Sequence, residues 1–81
     1  MMREIKISYF AMLKDQRGVS EETIGFDGYT AEELYSKLQK EHGLTFDVEN
    51  LRVAVNDSFA SWQTELKNGD KVAFIPPVSG G

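Results

Sequence analysis

Residues Asp27–Gly43 read DGYTAEELYSKLQKEHG, and the plan of the chain follows from this stretch. Thr30 supplies the side-chain oxygen an N-cap needs, and Glu33, three residues on, completes a capping box. Ala31, Leu34, Tyr35 and Leu38 recur at the i, i+3, i+4, i+7 spacing that gathers apolar side chains on one stripe of a helix. Gly43 suits the left-handed residue that closes a helix. Lys40 and His42 fall just before it, where the carbonyl end of the helix dipole favours cations. One amphipathic helix is expected here, and its apolar stripe has to be covered by something else.

The cover comes from both sides of it. Upstream, REIKISYF (Arg3–Phe10) alternates, with Ile5, Ile7 and Tyr9 on one face of a half-buried strand. AMLKDQRG (Ala11–Gly18) reads as a short helical turn closed by Gly18, and EETIGF (Glu21–Phe26) as a second strand. Downstream, LRVAVN (Leu51–Asn56) puts Leu51, Val53 and Val55 on the core side. Asn56-Asp57 makes a turn, and SFASW (Ser58–Trp62) starts a short fourth strand. LKNGDKVAFI (Leu66–Ile75) carries an Asn-Gly-Asp turn and a last strand with Val72 and Phe74 inward. Pro76 and Pro77 end that strand, because proline cannot donate to a ladder. Strands grouped around one main helix indicate an α+β layer architecture, a mixed sheet of four to five strands on that helix. The long connections let the first and last strands lie side by side, which is the β-grasp, or ubiquitin-like, arrangement.

At 81 residues this is one small domain with a thin core, so chemistry is expected at the surface, at a terminus or in a cleft completed by a partner. Nine Lys and Arg against thirteen Asp and Glu give a net charge of −4, and the cations form no run, which argues against nucleic acid as a partner. The absence of cysteine removes disulfides, thiolate nucleophiles and Cys-based metal sites, and fits a reducing cytoplasm. No apolar run approaches the roughly 18–20 residues that cross a bilayer, so no membrane role is expected. No metal-ligand spacing or phosphate-binding glycine loop is present. His42, the only histidine, reads as a surface residue at a helix end, and Trp62 as a plug for the core or its edge.

Parity then isolates the residues that break the pattern. With Ile5, Ile7 and Tyr9 inward, Phe10 faces away from the helix; with Val72 and Phe74 inward, so does Ile75. Phe59 is a third candidate for that outer face. Apolar residues clustered on adjacent strands would form a docking patch. Ile75 leads directly into PPVSGG (Pro76–Gly81). The body is therefore expected to span residues 1–75 and a flexible reactive tail residues 76–81. Pro76 and Pro77 favour an extended exit, and six residues reach about 20 Å. Gly80 and Gly81 lack Cβ atoms and fit a narrow channel. An ionised terminal carboxylate is a poor electrophile, so a partner would have to convert it to an acyl phosphate or adenylate. With sulfide as the incoming nucleophile, the product would be a thiocarboxylate. An inert, frayed terminus stands as the plain alternative.

NGDKVAFIPPVSGG (Asn68–Gly81) resembles the C-terminus of the molybdopterin synthase small-subunit family of sulfur carriers. IKISYFAMLKD (Ile5–Asp15) resembles that family's first strand and short helix, and LRVAVND (Leu51–Asp57) its third strand. The resemblance covers the whole chain in length and element order. It implies that Gly81 is adenylated by a ubiquitin-activating-like adenylyltransferase using ATP, then thiolated by a sulfur donor system. It further implies that Pro76, Pro77, Val78, Ser79, Gly80 and Gly81 enter the active site of the large synthase subunit in a heterotetramer. There the sulfur would build the dithiolene of molybdopterin on cyclic pyranopterin monophosphate. Phe10, Phe59 and Ile75 fall where the family's sheet meets its partners. The chain itself would bind no cofactor, and the catalytic side chains would belong to the partner. Carriers serving thiamine thiazole or tRNA thiolation, and ubiquitin-like protein modifiers, share the fold and the diglycine chemistry.

Overall fold

The computed structural model describes residues 2–77. Alternation makes the first strand, β1 (Arg3–Tyr9), with Ile5, Ile7 and Tyr9 all at most 1 % exposed. A seven-residue helix, α1 (Ala11–Arg17), follows and ends at Gly18, whose φ of +89° is left-handed. The strand β2 (Glu21–Phe26) returns antiparallel to β1. Next comes the main helix, α2 (Ala31–His42), with both halves of the Thr30/Glu33 capping box formed and Gly43 closing it at φ +66°. A 3₁₀ turn, Val48–Asn50, leads into β3 (Arg52–Val55), β4 (Ser58–Ala60) and β5 (Lys71–Ile75).

The five strands form one sheet in the order β2-β1-β5-β3-β4. The first and last strands pair in parallel, Lys6 opposite Lys71 and Tyr9 opposite Phe74, while every other pairing is antiparallel. This is the expected mixed sheet with one principal helix and a short extra helix after the first strand.

The helix stripe, Ala31, Leu34, Tyr35 and Leu38, is fully buried in one cluster with Ile5, Ile7, Val53, Val72 and Phe74. Aromatic rings fill its middle. Tyr35 meets Phe74 edge-on at 5.2 Å, and Trp62 stacks parallel on Phe74 at 6.0 Å, which makes Trp62 the expected plug. The Tyr35 hydroxyl donates to the Phe46 carbonyl at 2.6 Å, tying the loop after α2 to the helix. Burial pushes that phenol up to about 12, with the Asp47 charge adding to the shift. The segment before β5 is pinned to the start of α2, since Ala31 and Glu32 donate to the carbonyls of Thr64 and Trp62. Core packing thus uses one face of the sheet and leaves the other face open.

At one end of the sheet, the Arg17 guanidinium grips Glu22 with two hydrogen bonds (2.9 and 2.6 Å), and the Tyr9 hydroxyl donates to the same carboxylate at 2.6 Å. This locks α1 against the β1–β2 hairpin. The Arg17 hydrogen bonds hold the Glu22 carboxyl below its ordinary value, and burial raises the Tyr9 phenol. Gln16 bonds Thr45 twice, through side chain and backbone, so α1 is also tied to the loop after α2.

Candidate functional site on the open face of the sheet

The inward set of side chains dictates the outward set, because neighbours along a strand alternate sides. Ser8 on β1 lies opposite Ala73 on β5, Ala73 opposite Ala54 on β3, and Ala54 opposite Phe59 on β4. Small residues therefore pave the middle of the open face. Larger ones stand around them, and the result is a shallow hollow of about 260 Å³ lined by Phe10, Ala54, Asp57, Phe59, Ala73 and Ile75. The three residues expected on the outer face, Phe10, Phe59 and Ile75, all meet there. Phe59 is 68 % exposed and Phe10 48 %, so the rim is apolar and wet.

Local backbone geometry aims both rings. Asn56 and Asp57 have φ of +52° and +72°, the signature of a tight two-residue hairpin, and Val55 pairs with Ser58 across it. That register places Phe59 beside Ala54. Phe10 sits at the junction of β1 and α1, just before Ala11, whose φ of +52° is unusual for a residue with a Cβ. Holding an alanine there costs about 1 kcal/mol, and the turn it makes leaves Phe10 on the open face.

A second groove, of about 570 Å³, adjoins the first and shares Phe59 and Ile75 with it. It runs past Leu51 and Arg52 to Pro76 and Pro77. Pro76 is buried and Pro77 exposed, so the first proline of the expected tail still packs against the body. Val78, Ser79, Gly80 and Gly81, the rest of the expected tail, lie outside the described residues. The apolar hollow and the groove to Pro76 and Pro77 are thus one continuous surface.

Two features of this surface escaped the sequence reading. The small floor of Ala54 and Ala73 makes the hollow, and the same parity that exposed Ile75 predicts it. Arg52, opposite Ile75 across β3 and β5, lays its guanidinium over the Phe59 ring at 5.5 Å. Its outward position was also implied by the inward Val53. His42 stands at the end of α2, 3.9 Å from Glu41 and away from the open face. No group of acidic or histidine side chains suited to a metal ion is found among the described residues. No helix among them is long and apolar enough to cross a membrane.

A mixed five-stranded sheet gripping one helix, with an apolar outer face that runs into the root of a C-terminal diglycine segment, defines a ubiquitin-like β-grasp protein. Within that class the chain belongs to the ThiS family, whose profile matches residues 7–81. It is 38 % identical to the molybdopterin synthase sulfur carrier subunit of Chlamydomonas reinhardtii, covering 96 % of this chain and 99 % of that one. The Escherichia coli protein of the same name is 32 % identical over 95 % of this chain and 99 % of its own. Among solved structures, the protein–protein complex of subunits 1 and 2 of molybdopterin-converting factor from Helicobacter pylori contains a chain with a TM-score of 0.64. That chain is 29 % identical, and the match covers 96 % of this chain and 99 % of that one.

Proposed function

We propose that this chain is the sulfur carrier subunit of a molybdopterin synthase. The observation that carries the reading is the continuity of Phe10, Phe59 and Ile75 with Pro76 and Pro77: a partner seated on the open face also receives the segment that follows. Relatives of the same length carry the sulfur carrier name, and a chain similar to this one is solved in the complex of subunits 1 and 2 of a molybdopterin-converting factor.

The chemistry belongs to Gly81. Its carboxylate oxygen attacks the α-phosphorus of ATP held by a ubiquitin-activating-like adenylyltransferase, and pyrophosphate leaves. Hydrosulfide delivered by a donor system then attacks the acyl carbon, AMP leaves as the acyl–oxygen bond breaks, and the thiocarboxylate remains. On the large synthase subunit, that sulfur attacks a carbon of cyclic pyranopterin monophosphate, and the C–O bond at that carbon breaks and its oxygen leaves. Water then hydrolyses the thioester, which leaves the sulfur on the pterin and restores the carboxylate. Two such rounds complete the dithiolene. The body supplies docking and reach, with residues 76–81 as the tail, and the partners supply the catalytic side chains and bind the ATP. With no cysteine on the chain, none of its own thiols competes for the activated end. We place this chemistry in the reducing cytoplasm, within a heterotetramer of carrier and large subunit.

The test is the intact mass of the chain before and after incubation with ATP, an activating enzyme and a sulfur donor. Replacement of one oxygen by sulfur at Gly81, followed by molybdopterin formation when the large subunit and cyclic pyranopterin monophosphate are added, is the expected result. An unchanged acid refutes the carrier role. Thiolation without molybdopterin formation moves the chain to a thiamine or tRNA thiolation pathway, and conjugates on lysines identify a protein modifier.

A further inference from the structure

Three cations stand on the open face of this acidic chain: Lys6, Arg52 and Lys71. Lys6 has Glu21 at 3.8 Å and Lys71 has Asp57 at 3.6 Å. Arg52 alone has no carboxylate partner among the described residues. Its guanidinium instead lies over the Phe59 ring, 5.5 Å from the centroid, in the groove that runs to Pro76 and Pro77. Stacking of this kind covers the flat face of the guanidinium and fixes its plane, while the N–H fork at its edge stays free to donate. A planar fork held at the border of an apolar groove is the geometry that takes a carboxylate through two parallel hydrogen bonds.

We propose that Arg52 reads a carboxylate on the partner at the place where the tail enters it, and that this contact, more than the apolar patch, sets which partner is accepted. The inference rests on the sulfur carrier reading for the identity of that partner. The surface that fits is apolar opposite Phe59 and Ile75 and bears one Asp or Glu opposite Arg52. The apolar rim around the pair excludes water, which strengthens the charge-assisted bonds. A partner with a neutral or cationic residue at that point leaves Arg52 desolvated and unpaired, so it is rejected by the penalty for the wrong match. Lys6 and Lys71 cannot discriminate in this way, because each already has a counter-ion on the same face.

The experiment measures binding of the full-length chain to the large synthase subunit, with dissociation rates recorded at about 50 mM and about 0.5 M NaCl, where the screening length differs severalfold. Arg52→Gln keeps a polar side chain of similar length and removes the charge and the fork. It should weaken binding about tenfold, chiefly through faster dissociation, and nearly as much at high salt as at low, because a pair shielded by apolar surface is screened little. Arg52→Lys keeps the charge without the fork and should recover only part of the loss. Arg52→Gln binding as tightly as the unsubstituted chain overturns the inference alone. Arg52→Lys binding as tightly as the unsubstituted chain overturns the forked contact. Tighter binding by Arg52→Gln also overturns it, and shows that the partner desolvates the guanidinium without pairing it. No binding by the unsubstituted chain overturns the functional reading, and this inference falls with it.

Discussion

Replacing Phe59 by alanine separates docking from folding more cleanly than any other change on this surface. A phenylalanine side chain offers about 200 Å². At 68 % exposure, roughly 140 Å² of Phe59 awaits a partner. At about 25 cal/mol per Å², complete burial is worth at most about 3.5 kcal/mol. Contact on one side of the ring realises about half of that, or roughly 1.5–2 kcal/mol, a 10- to 30-fold rise in Kd. The folded body loses far less, because the ring touches little of its own core. What goes is the Arg52 contact, worth about 0.5–1 kcal/mol at an exposed site. Calorimetric titration with the large synthase subunit gives the first quantity and urea unfolding the second. A Kd within about twofold of the unsubstituted chain refutes the assignment of the hollow as the docking site. A stability loss above about 2 kcal/mol shows instead that Phe59 serves the fold.

Other consequences follow from the body. Glu22 has its folded value lowered by Arg17 first, then Tyr9, with His42 adding a smaller effect. Its stabilisation is present above the unfolded value of 4.5 and is lost as pH falls through the lower folded value. Glu22→Gln should therefore flatten the fall in stability on the acid side of pH 4.5, and an unchanged acid slope in pH-dependent denaturation would rule out the cluster as its source. Ala11→Gly removes the strain at φ +52°, and should raise stability by about 0.5 kcal/mol once glycine's greater unfolded freedom is subtracted. A lower urea midpoint would contradict that. Thr30→Ala breaks the capping box and should cost about 1 kcal/mol, read from the same unfolding curves, with no effect on partner binding.

Much of this was legible in the residues alone, and the reason differs between elements. The main helix was plain because its cap, stripe and closing glycine all agree between Thr30 and Gly43. That the first and last strands lie side by side could be inferred because the connections leave few other arrangements. Phe10 and Ile75 were found by parity, a local rule that needs no tertiary knowledge. The hollow between them was not, because a cavity depends on what four strands place side by side. Ser8, Ala73, Ala54 and Phe59 come from four separate stretches of chain, and only the register lines them up. The Arg52–Phe59 stack was hidden for the same reason. Pro76 follows the end of the β5 ladder as its chemistry implies, and its burial was not legible because ending a ladder does not require leaving the core.

In the proposed carrier, whose last residues partners handle, the parallel pairing of β1 and β5 has a mechanical meaning. In a parallel pair, the Arg3 end of β1 and the Ile75 end of β5 lie at opposite ends of the ladder. A pull on Pro77, resisted by the body, therefore slides β5 lengthwise along β1. Their hydrogen bonds are loaded together rather than peeled one at a time from an end. β3, antiparallel to β5 on its other flank, shares the load through the pairs from Arg52–Ile75 to Val55–Val72. In that proposed role, tension on the chain beyond Pro77 meets the sheet along its stiffest direction.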